Sequence, residues 1–271
     1  MKIGICNETF GDWEFEKVCR FVANLGYQGI EIAPFTCAPL VTDLDSTERK
    51  RLRKTAEEAG LEVIGLHWLL AKTNGFHLTD PDVETRNRTR DYLIELGRFC
   101  ADLGGKILVF GSPPQRNLTE GQDSEQAFQN AAQVFRGCVP EFERLGVILC
   151  MEPLSPVETN FIMTAEDGRR LVDTIGSQSF KLHLDVKAMA SEKQPIPEII
   201  RASKGYVRHF HANDPNLRGP GMGDMDFGPI LQALRDIGYD EWLSVEVFDL
   251  KPGAETLAGN SIEYLRSFIV Q

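Results

Sequence analysis

Eight short apolar runs alternate with longer amphipathic segments from one end of the chain to the other. Such runs are typical of strands that are covered on both faces, as the strands of a parallel sheet are. The alternation of strands and helices indicates βαβ units and argues against an all-β fold or a helical bundle. The predicted strands are Lys2–Cys6, Gly29–Ala33, Glu62–His67, Lys106–Gly111, Val147–Glu152, Phe180–Asp185, Val207–His211 and Leu243–Glu246.

The segments between these runs have helical periodicity, and several end at a glycine, as helix C-caps commonly do. The predicted helices include Thr47–Ala59, Arg86–Leu103, Glu125–Leu145, Glu166–Thr174, Gly228–Ile237 and Ala254–Phe268. Eight units in 271 residues fit a single (β/α)8 (TIM) barrel, which typically has ~250 residues. We therefore predict one α/β barrel domain over residues 1–271. A doubly wound open sheet is the main alternative, but GICNETFG at the first strand is not its G-x-G-x-x-G motif.

The charge and cysteine patterns exclude several classes of protein. The chain carries 40 acidic and 29 basic side chains, a formal charge of −11, which argues against a protein that neutralises nucleic-acid phosphates. Its six cysteines form no C-x-x-C pair and are predicted to be reduced, buried thiols. The apolar stretch at the N-terminus is too short for a secretory signal, and no run approaches the ~18 residues of a membrane span. We expect a cytoplasmic protein without a membrane or nucleic-acid partner.

Four consecutive predicted strands close with a carboxylate or an imidazole. Barrel enzymes place their chemistry at the carboxyl ends of the strands, so these residues are candidates for function. The four residues, from VILCMEP, FKLHLDV, VRHFHAND and LSVEVFD, are Glu152, Asp185, His211 and Glu246. Three carboxylates at one barrel mouth would repel one another, and a divalent cation would remove that repulsion.

One imidazole and three carboxylates form an oxygen-rich set of metal ligands. Such a set suits Mn²⁺, Mg²⁺ or Co²⁺ better than it suits zinc, whose sites are often rich in thiolates. We predict one divalent ion, with Mn²⁺ preferred and Mg²⁺, Co²⁺ or Zn²⁺ as alternatives. A single acidic residue at a strand end is more often a helix cap or an ion-pair partner, so the prediction depends on four such strands in succession.

Two of the predicted strands also carry a histidine two residues before the candidate ligand. Strand alternation sends His209 and His211 to the same side of the strand, one layer apart. His211 is nearer the carboxyl end and is the candidate ligand, whereas His209 is predicted to be a core or supporting residue. His183 stands in the same relation to Asp185. Glu31, in GIEIAPF, either faces the barrel mouth or forms an ion pair inside the barrel, and the ion pair is the preferred prediction.

The segments MEPLSPVETNF, LHLDVKAM, HFHANDPNLRGPGMGDMDF and LSVEVF resemble the xylose-isomerase-like barrel superfamily, in particular its sugar isomerase/epimerase branch of ketose 3-epimerases. The resemblance runs through essentially the whole chain. It implies a metal-dependent isomerase or epimerase of a sugar or sugar phosphate, with the four residues above as metal ligands. It also implies that Glu152 and Glu246 transfer protons on opposite faces of the sugar through an enediolate, and that the enzyme forms a homodimer or homotetramer.

Five further residues are candidate substrate contacts. The resemblance implies that Glu158 and Arg218 hold substrate hydroxyls. The ketose epimerases carry a histidine three residues after the ligand aspartate, where this chain has Ala188, and Lys187 is the nearest polar substitute. The last two residues have structural alternatives: His67 lies in the cavity wall or in the core, and Arg116 either binds a phosphate or carboxylate or is a solvated loop residue.

Three other functions use the same fold. A lyase or dehydratase acting on an inosose or a 3-keto-sugar would have nearly the same metal site. A relative of the apurinic-site endonucleases would need several zinc ions and a basic surface, which five histidines and a charge of −11 disfavour. A metal-free sugar-binding barrel would leave the four ligands without a role.

Overall fold

The computed structural model describes residues 1–269, and its strands form one closed barrel. Each strand pairs in parallel with its neighbours in chain order, and β8 pairs with β1. The strands are β1 Lys2–Cys6, β2 Gly29–Ile32, β3 Glu62–Leu66, β4 Ile107–Phe110, β5 Ile148–Met151, β6 Phe180–Asp185, β7 Val207–Ala212 and β8 Trp242–Val245. The prediction of a (β/α)8 barrel is confirmed.

Nine α-helices lie within residues 1–269, and most of them surround the barrel. They are α1 Phe15–Leu25, α2 Ser46–Glu58, α3 Val83–Asp102, α4 Ser124–Leu145, α5 Ala165–Ile175, α6 Val186–Met189, α7 Ile196–Ala202, α8 Phe227–Asp236 and α9 Ala254–Ile269. An aspartate caps the N-termini of α2, α3, α4 and α8, where its carboxylate accepts backbone N–H groups. The cap Asp82 starts α3 three residues before the predicted boundary.

The strands are buried almost completely, which explains their continuous apolar sequences. Gly65 in β3 shows how closely they pack, because a Cβ atom at this position would lie 1.9 Å from the carbonyl oxygen of Ile107 in β4. All six cysteines are free thiols, and only Cys37 is not fully buried. Among the described residues, no helix has the length and apolar character needed to cross a membrane.

Polar side chains occupy the interior of the barrel between its apolar layers. Glu31, His183 and His209 are fully buried there, together with His211. A register shift between Leu182 and His183 sets β6 against β7 so that His183 is opposite His209 and Asp185 is opposite His211. The barrel interior therefore carries a two-layer polar column that ends at the carboxyl rim.

Candidate metal centre and substrate cavity

The four predicted metal ligands lie at the carboxyl end of four consecutive strands. Asp185 ends β6 and His211 lies in β7, whereas Glu152 and Glu246 each follow the last residue of their strand. All four side chains are buried, and the most exposed residue, Glu152, is 7% accessible. Short apolar strands that end at the same rim bring these residues together although 94 positions separate Glu152 from Glu246 in the sequence.

Three of the four predicted ligands belong to one compact group. Donor atoms of Glu152, Asp185 and His211, together with His183, all lie within 4.8 Å of one another. Glu246 is attached to this group through His211, since its Oε2 lies 3.1 Å from His211 Nδ1. Glu246 also belongs to a second such group, whose other members are Cys6, Glu8 and His67.

The carboxylates of this group destabilise one another's ionised forms. Burial, followed by the nearby charges of Glu246 and Asp185, raises the pKa of Glu152 well above its ordinary value. Burial and then Glu246 raise the pKa of Asp185 to about 6. Burial also acts to raise the pKa of Glu246, but the charge and hydrogen bond of His211 outweigh it and the pKa is lowered. The three carboxylates thus carry more negative charge than the nearby His211 and Lys187 neutralise.

The donor set fits a divalent cation. Three carboxylates and an imidazole are all buried and converge, which is costly without a positive charge between them. Both ring nitrogens of His183, which lies beside the group, have no hydrogen-bond partner among the described residues. His211 can direct Nδ1 toward the cluster because its Nε2 is engaged elsewhere.

That engagement is with Glu31, in the layer below the candidate ligands. Glu31 is fully buried, and its two oxygens each lie 3.2 Å from His211 Nε2. Its Oε2 also lies 2.9 Å from His209 Nε2. Burial alone would raise the pKa of Glu31, but the two histidines lower it well below its ordinary value. The predicted interior ion pair of Glu31 and the supporting position of His209 are therefore present.

Asp185 is held from two sides by hydrogen bonds. Its Oδ1 accepts the backbone N–H of Ala188 at 2.7 Å, which starts the one-turn helix α6. Its Oδ2 accepts a hydrogen bond from the side chain of Asn213. Asn213 also accepts the backbone N–H of Lys187, so it links the β6 and β7 loops. The sequence analysis missed Asn213, and the only signal was its position two residues after His211.

A cavity of about 340 Å³ opens above the group of predicted metal ligands. Glu152 and Glu246 line it together with Glu158. Lys187 Nζ lies 2.5 Å from Glu158 Oε1 and 4.3 Å from the centre of the Phe248 ring. Glu158 and Lys187 thus form one ion pair at the cavity wall.

Trp68 is a site residue that the sequence analysis did not identify. Its indole Nε1 donates a 2.7 Å hydrogen bond to Glu246 Oε1, and its ring stacks on Phe248 with 6.2 Å between centroids. The backbone of Trp68 is left-handed, with φ of 52°, which a bulky residue rarely adopts. His67 itself is fully buried, with Nε2 2.6 Å from Glu8 Oε2, and lies behind the cavity wall.

The two arginines among the candidate substrate contacts have different surroundings. Arg116 is fully buried and donates to the backbone carbonyls of Glu152 and Ile162 at 2.6 and 3.3 Å. It therefore supports the loop after β5 and is neither a solvated residue nor an exposed anion site. Arg218 is 40% exposed at its side chain and donates to Asp249 at 3.1 Å. Neither residue lines the 340 Å³ cavity.

Comparisons with known proteins agree with this architecture. A family model described as a xylose isomerase-like TIM barrel matches residues 19–268. D-Psicose 3-epimerase of Enterocloster bolteae is 29% identical over 99% of this chain and 88% of its own length. L-Ribulose 3-epimerase of Mesorhizobium japonicum is 32% identical over 67% of this chain and 61% of its own.

A crystal structure of D-psicose 3-epimerase, obtained in the presence of D-fructose, superimposes on the whole chain. The TM-score is 0.87, and each chain is covered completely at 23% sequence identity, a level that shows the shared fold. The sequence matches extend this likeness to enzymes that act on sugars. The chain thus belongs to the xylose isomerase-like TIM barrel family, and it is an enzyme whose relatives are sugar epimerases.

Proposed function

We propose that this enzyme is a divalent-metal-dependent sugar epimerase or isomerase that removes a proton from the carbon next to a carbonyl group. The observation that carries the proposal is the convergence of Glu152, Asp185, His211 and Glu246 at one rim of the barrel, beneath a cavity of monosaccharide size. The family and its epimerase relatives support the same reaction class.

The two glutamates are suited to proton transfer because both line the cavity and come from strands three positions apart around the ring. A sugar between them presents opposite faces to the two carboxylates. One glutamate takes the proton, and the electron pair of the C–H bond moves toward the carbonyl, giving the enediolate of the sugar. The other glutamate returns a proton from the opposite face and inverts the carbon, whereas return to the neighbouring carbon would isomerise the sugar.

The other side chains hold the substrate and the reacting groups in place. A divalent ion, for which we propose Mn²⁺, would be held by the four ligands and would polarise the carbonyl. The Glu158–Lys187 pair offers hydrogen bonds to sugar hydroxyls. Trp68 fixes one oxygen of Glu246 and leaves its carboxylate oriented toward the cavity.

Deuterium uptake from D₂O into ketoses, measured by mass spectrometry with and without Mn²⁺ after chelation, tests the proposal. We expect exchange that requires the metal and that falls by a factor of about 10²–10⁴ in Glu246→Gln, since general acid–base catalysis contributes that much. Glu263→Gln, an exposed change on α9, is the matched control. Wild-type exchange rates in Glu246→Gln, or exchange that is independent of metal, would remove the proposed mechanism. Deuterium exchange accompanied by loss of a β leaving group from the sugar would instead indicate the lyase alternative.

A further inference from the structure

A second and larger cavity adjoins the one above the candidate metal centre. Its volume is about 730 Å³, roughly twice the volume of its neighbour. Trp68, Lys72 and Phe248 line both cavities and so form the boundary between them. A monosaccharide in the smaller cavity would leave the larger cavity filled with solvent. Because binding sites usually enclose most of their ligand, the two adjoining cavities together suit a ligand longer than one monosaccharide.

The larger cavity has aromatic walls. Phe35 lies against Trp68 with 5.9 Å between ring centroids, and Trp68 stacks on Phe248. Trp13 and Phe15 line the same cavity. Flat aromatic rings of this kind suit the C–H face of a pyranose ring, because they bury apolar area without demanding hydrogen bonds from the ligand.

The polar groups of the larger cavity are mostly acceptors. Glu8, Asp12 and Glu14 line it, and neither Asp12 nor Glu14 forms an ion pair among residues 1–269. Glu8 Oε1 is buried and has no hydrogen-bond partner among those residues. These carboxylates can accept hydrogen bonds from hydroxyl groups and would repel a phosphate.

The cations around both cavities are largely engaged already. Arg51 donates to both oxygens of Glu48, and Lys187 pairs with Glu158. Arg218 pairs with Asp249, and the buried Arg116 donates to the backbone carbonyls of Glu152 and Ile162. Lys72 lies over the Phe35 ring at 4.0 Å and is the one lining cation without a carboxylate partner in the described chain. A phosphate group, which needs several donors, finds no prepared site here.

We propose that the substrate is an uncharged keto sugar that carries a second sugar ring through a glycosidic bond. The reacting unit occupies the smaller cavity between Glu152 and Glu246, and the second ring lies in the larger cavity against Trp13 and Trp68. This inference rests on the proposed function for the reacting unit, but it assigns the larger cavity separately.

The test compares dissociation constants of matched ligands by calorimetry on the Mn²⁺-loaded protein. The probes are fructose, fructose 6-phosphate, and the disaccharides isomaltulose and lactulose, in which a second sugar is linked to a hydroxyl group of fructose. We expect at least one disaccharide to bind about tenfold more tightly than fructose, which is about 1.4 kcal/mol, and the phosphate ester to bind more weakly than fructose. Disaccharides that all bind no better than fructose, or a phosphate ester that binds best, would overturn the inference.

Two variants locate the effect in the larger cavity. Trp13→Ala should lower disaccharide affinity about tenfold and leave fructose affinity within twofold. Trp13 also packs against Phe10 and Phe21, so the exposed Asp12→Lys provides a second variant that does not disturb the core. It should improve the affinity for fructose 6-phosphate relative to fructose, whereas Glu198→Lys on α7 should not. If Asp12→Lys leaves this ratio unchanged and Trp13→Ala leaves the disaccharide affinity unchanged, the larger cavity is not part of the substrate site. The deuterium exchange described above then still decides the proposed reaction.

Discussion

Replacement of Arg116 by methionine should destabilise the protein. The guanidinium is fully buried, where it donates to the backbone carbonyls of Glu152 and Ile162 and lies 3.3 Å from Thr159 Oγ1. Burial lowers the pKa of Arg116 to about 10, so the group stays charged at neutral pH. Methionine offers no donor, so the Glu152 carbonyl would remain buried without a partner, whereas the Ile162 carbonyl would still accept the backbone N–H of Leu154.

The expected loss follows from the Glu152 carbonyl. A buried acceptor without a partner costs about 1–3 kcal/mol, with a central value of about 2 kcal/mol. In a chain of this size each kcal/mol shifts the melting temperature by about 2–4 °C, so we expect a decrease of about 4–8 °C. The loss should also loosen Glu152, because its own carbonyl is one of the acceptors.

Urea denaturation followed by circular dichroism measures this loss directly. Arg98→Met is the matched control, since Arg98 is 46% exposed at its side chain and pairs with Glu95 and Glu141 on the surface. It should cost less than about 1 kcal/mol. If the free energy of unfolding of Arg116→Met lay within about 1 kcal/mol of the wild-type value, the Glu152 carbonyl would have found another donor and the argument from burial would be wrong.

Two further changes test the layer below the candidate metal centre and the protein surface. Glu31→Gln should weaken Co²⁺ binding about 10–100-fold, because it removes the negative charge and one of the two acceptor oxygens that face the imidazoles of His211 and His209. The visible absorption of bound Co²⁺ measures this, and an unchanged affinity would refute the role of Glu31. Arg144 and Arg98 hold the pKa of Glu141 at about 2 by hydrogen bonding, below the unfolded value of about 4.3. The lowered pKa means that this stabilisation is present above about pH 4.3 and is lost as the pH falls toward 2. The stability difference between wild type and Glu141→Gln should therefore shrink over that range in urea titrations, and a constant difference would contradict the assignment.

The strand ends could be predicted because buried strands have a simple signature. The predicted bounds of β1 and β6 agree with the structure, and β7 extends one residue further, to Ala212. Each of the four candidate ligands follows or ends an apolar run, and closure of the barrel brings such positions together. Local sequence pattern was therefore sufficient to place Glu152 and Glu246 at one rim.

The contacts of the loops could not be predicted in the same way. Arg116 donates hydrogen bonds to backbone carbonyls 36 and 46 positions away. Every residue has a backbone carbonyl, so the sequence does not show which of them will accept a hydrogen bond from a distant side chain. The helix α6 has only four residues and depends on the Asp185 side chain, so it has no helical periodicity to detect. The partners of Arg218 and Trp68 likewise depend on how the loops after β7, β8 and β3 fold against one another. These interactions arise from tertiary structure alone.

The left-handed backbone of Trp68 links the shape of the barrel mouth to the ionisation of Glu246. A non-glycine residue in that region stores roughly 1–2 kcal/mol of strain, which the surrounding contacts must offset. The indole hydrogen bond to Glu246 is one of those contacts, and an ionised carboxylate accepts it more strongly than a neutral one. When Glu246 gains a proton, its hydrogen bond to the Trp68 indole weakens. The boundary that Trp68 forms between the two cavities should therefore become more mobile when Glu246 is protonated.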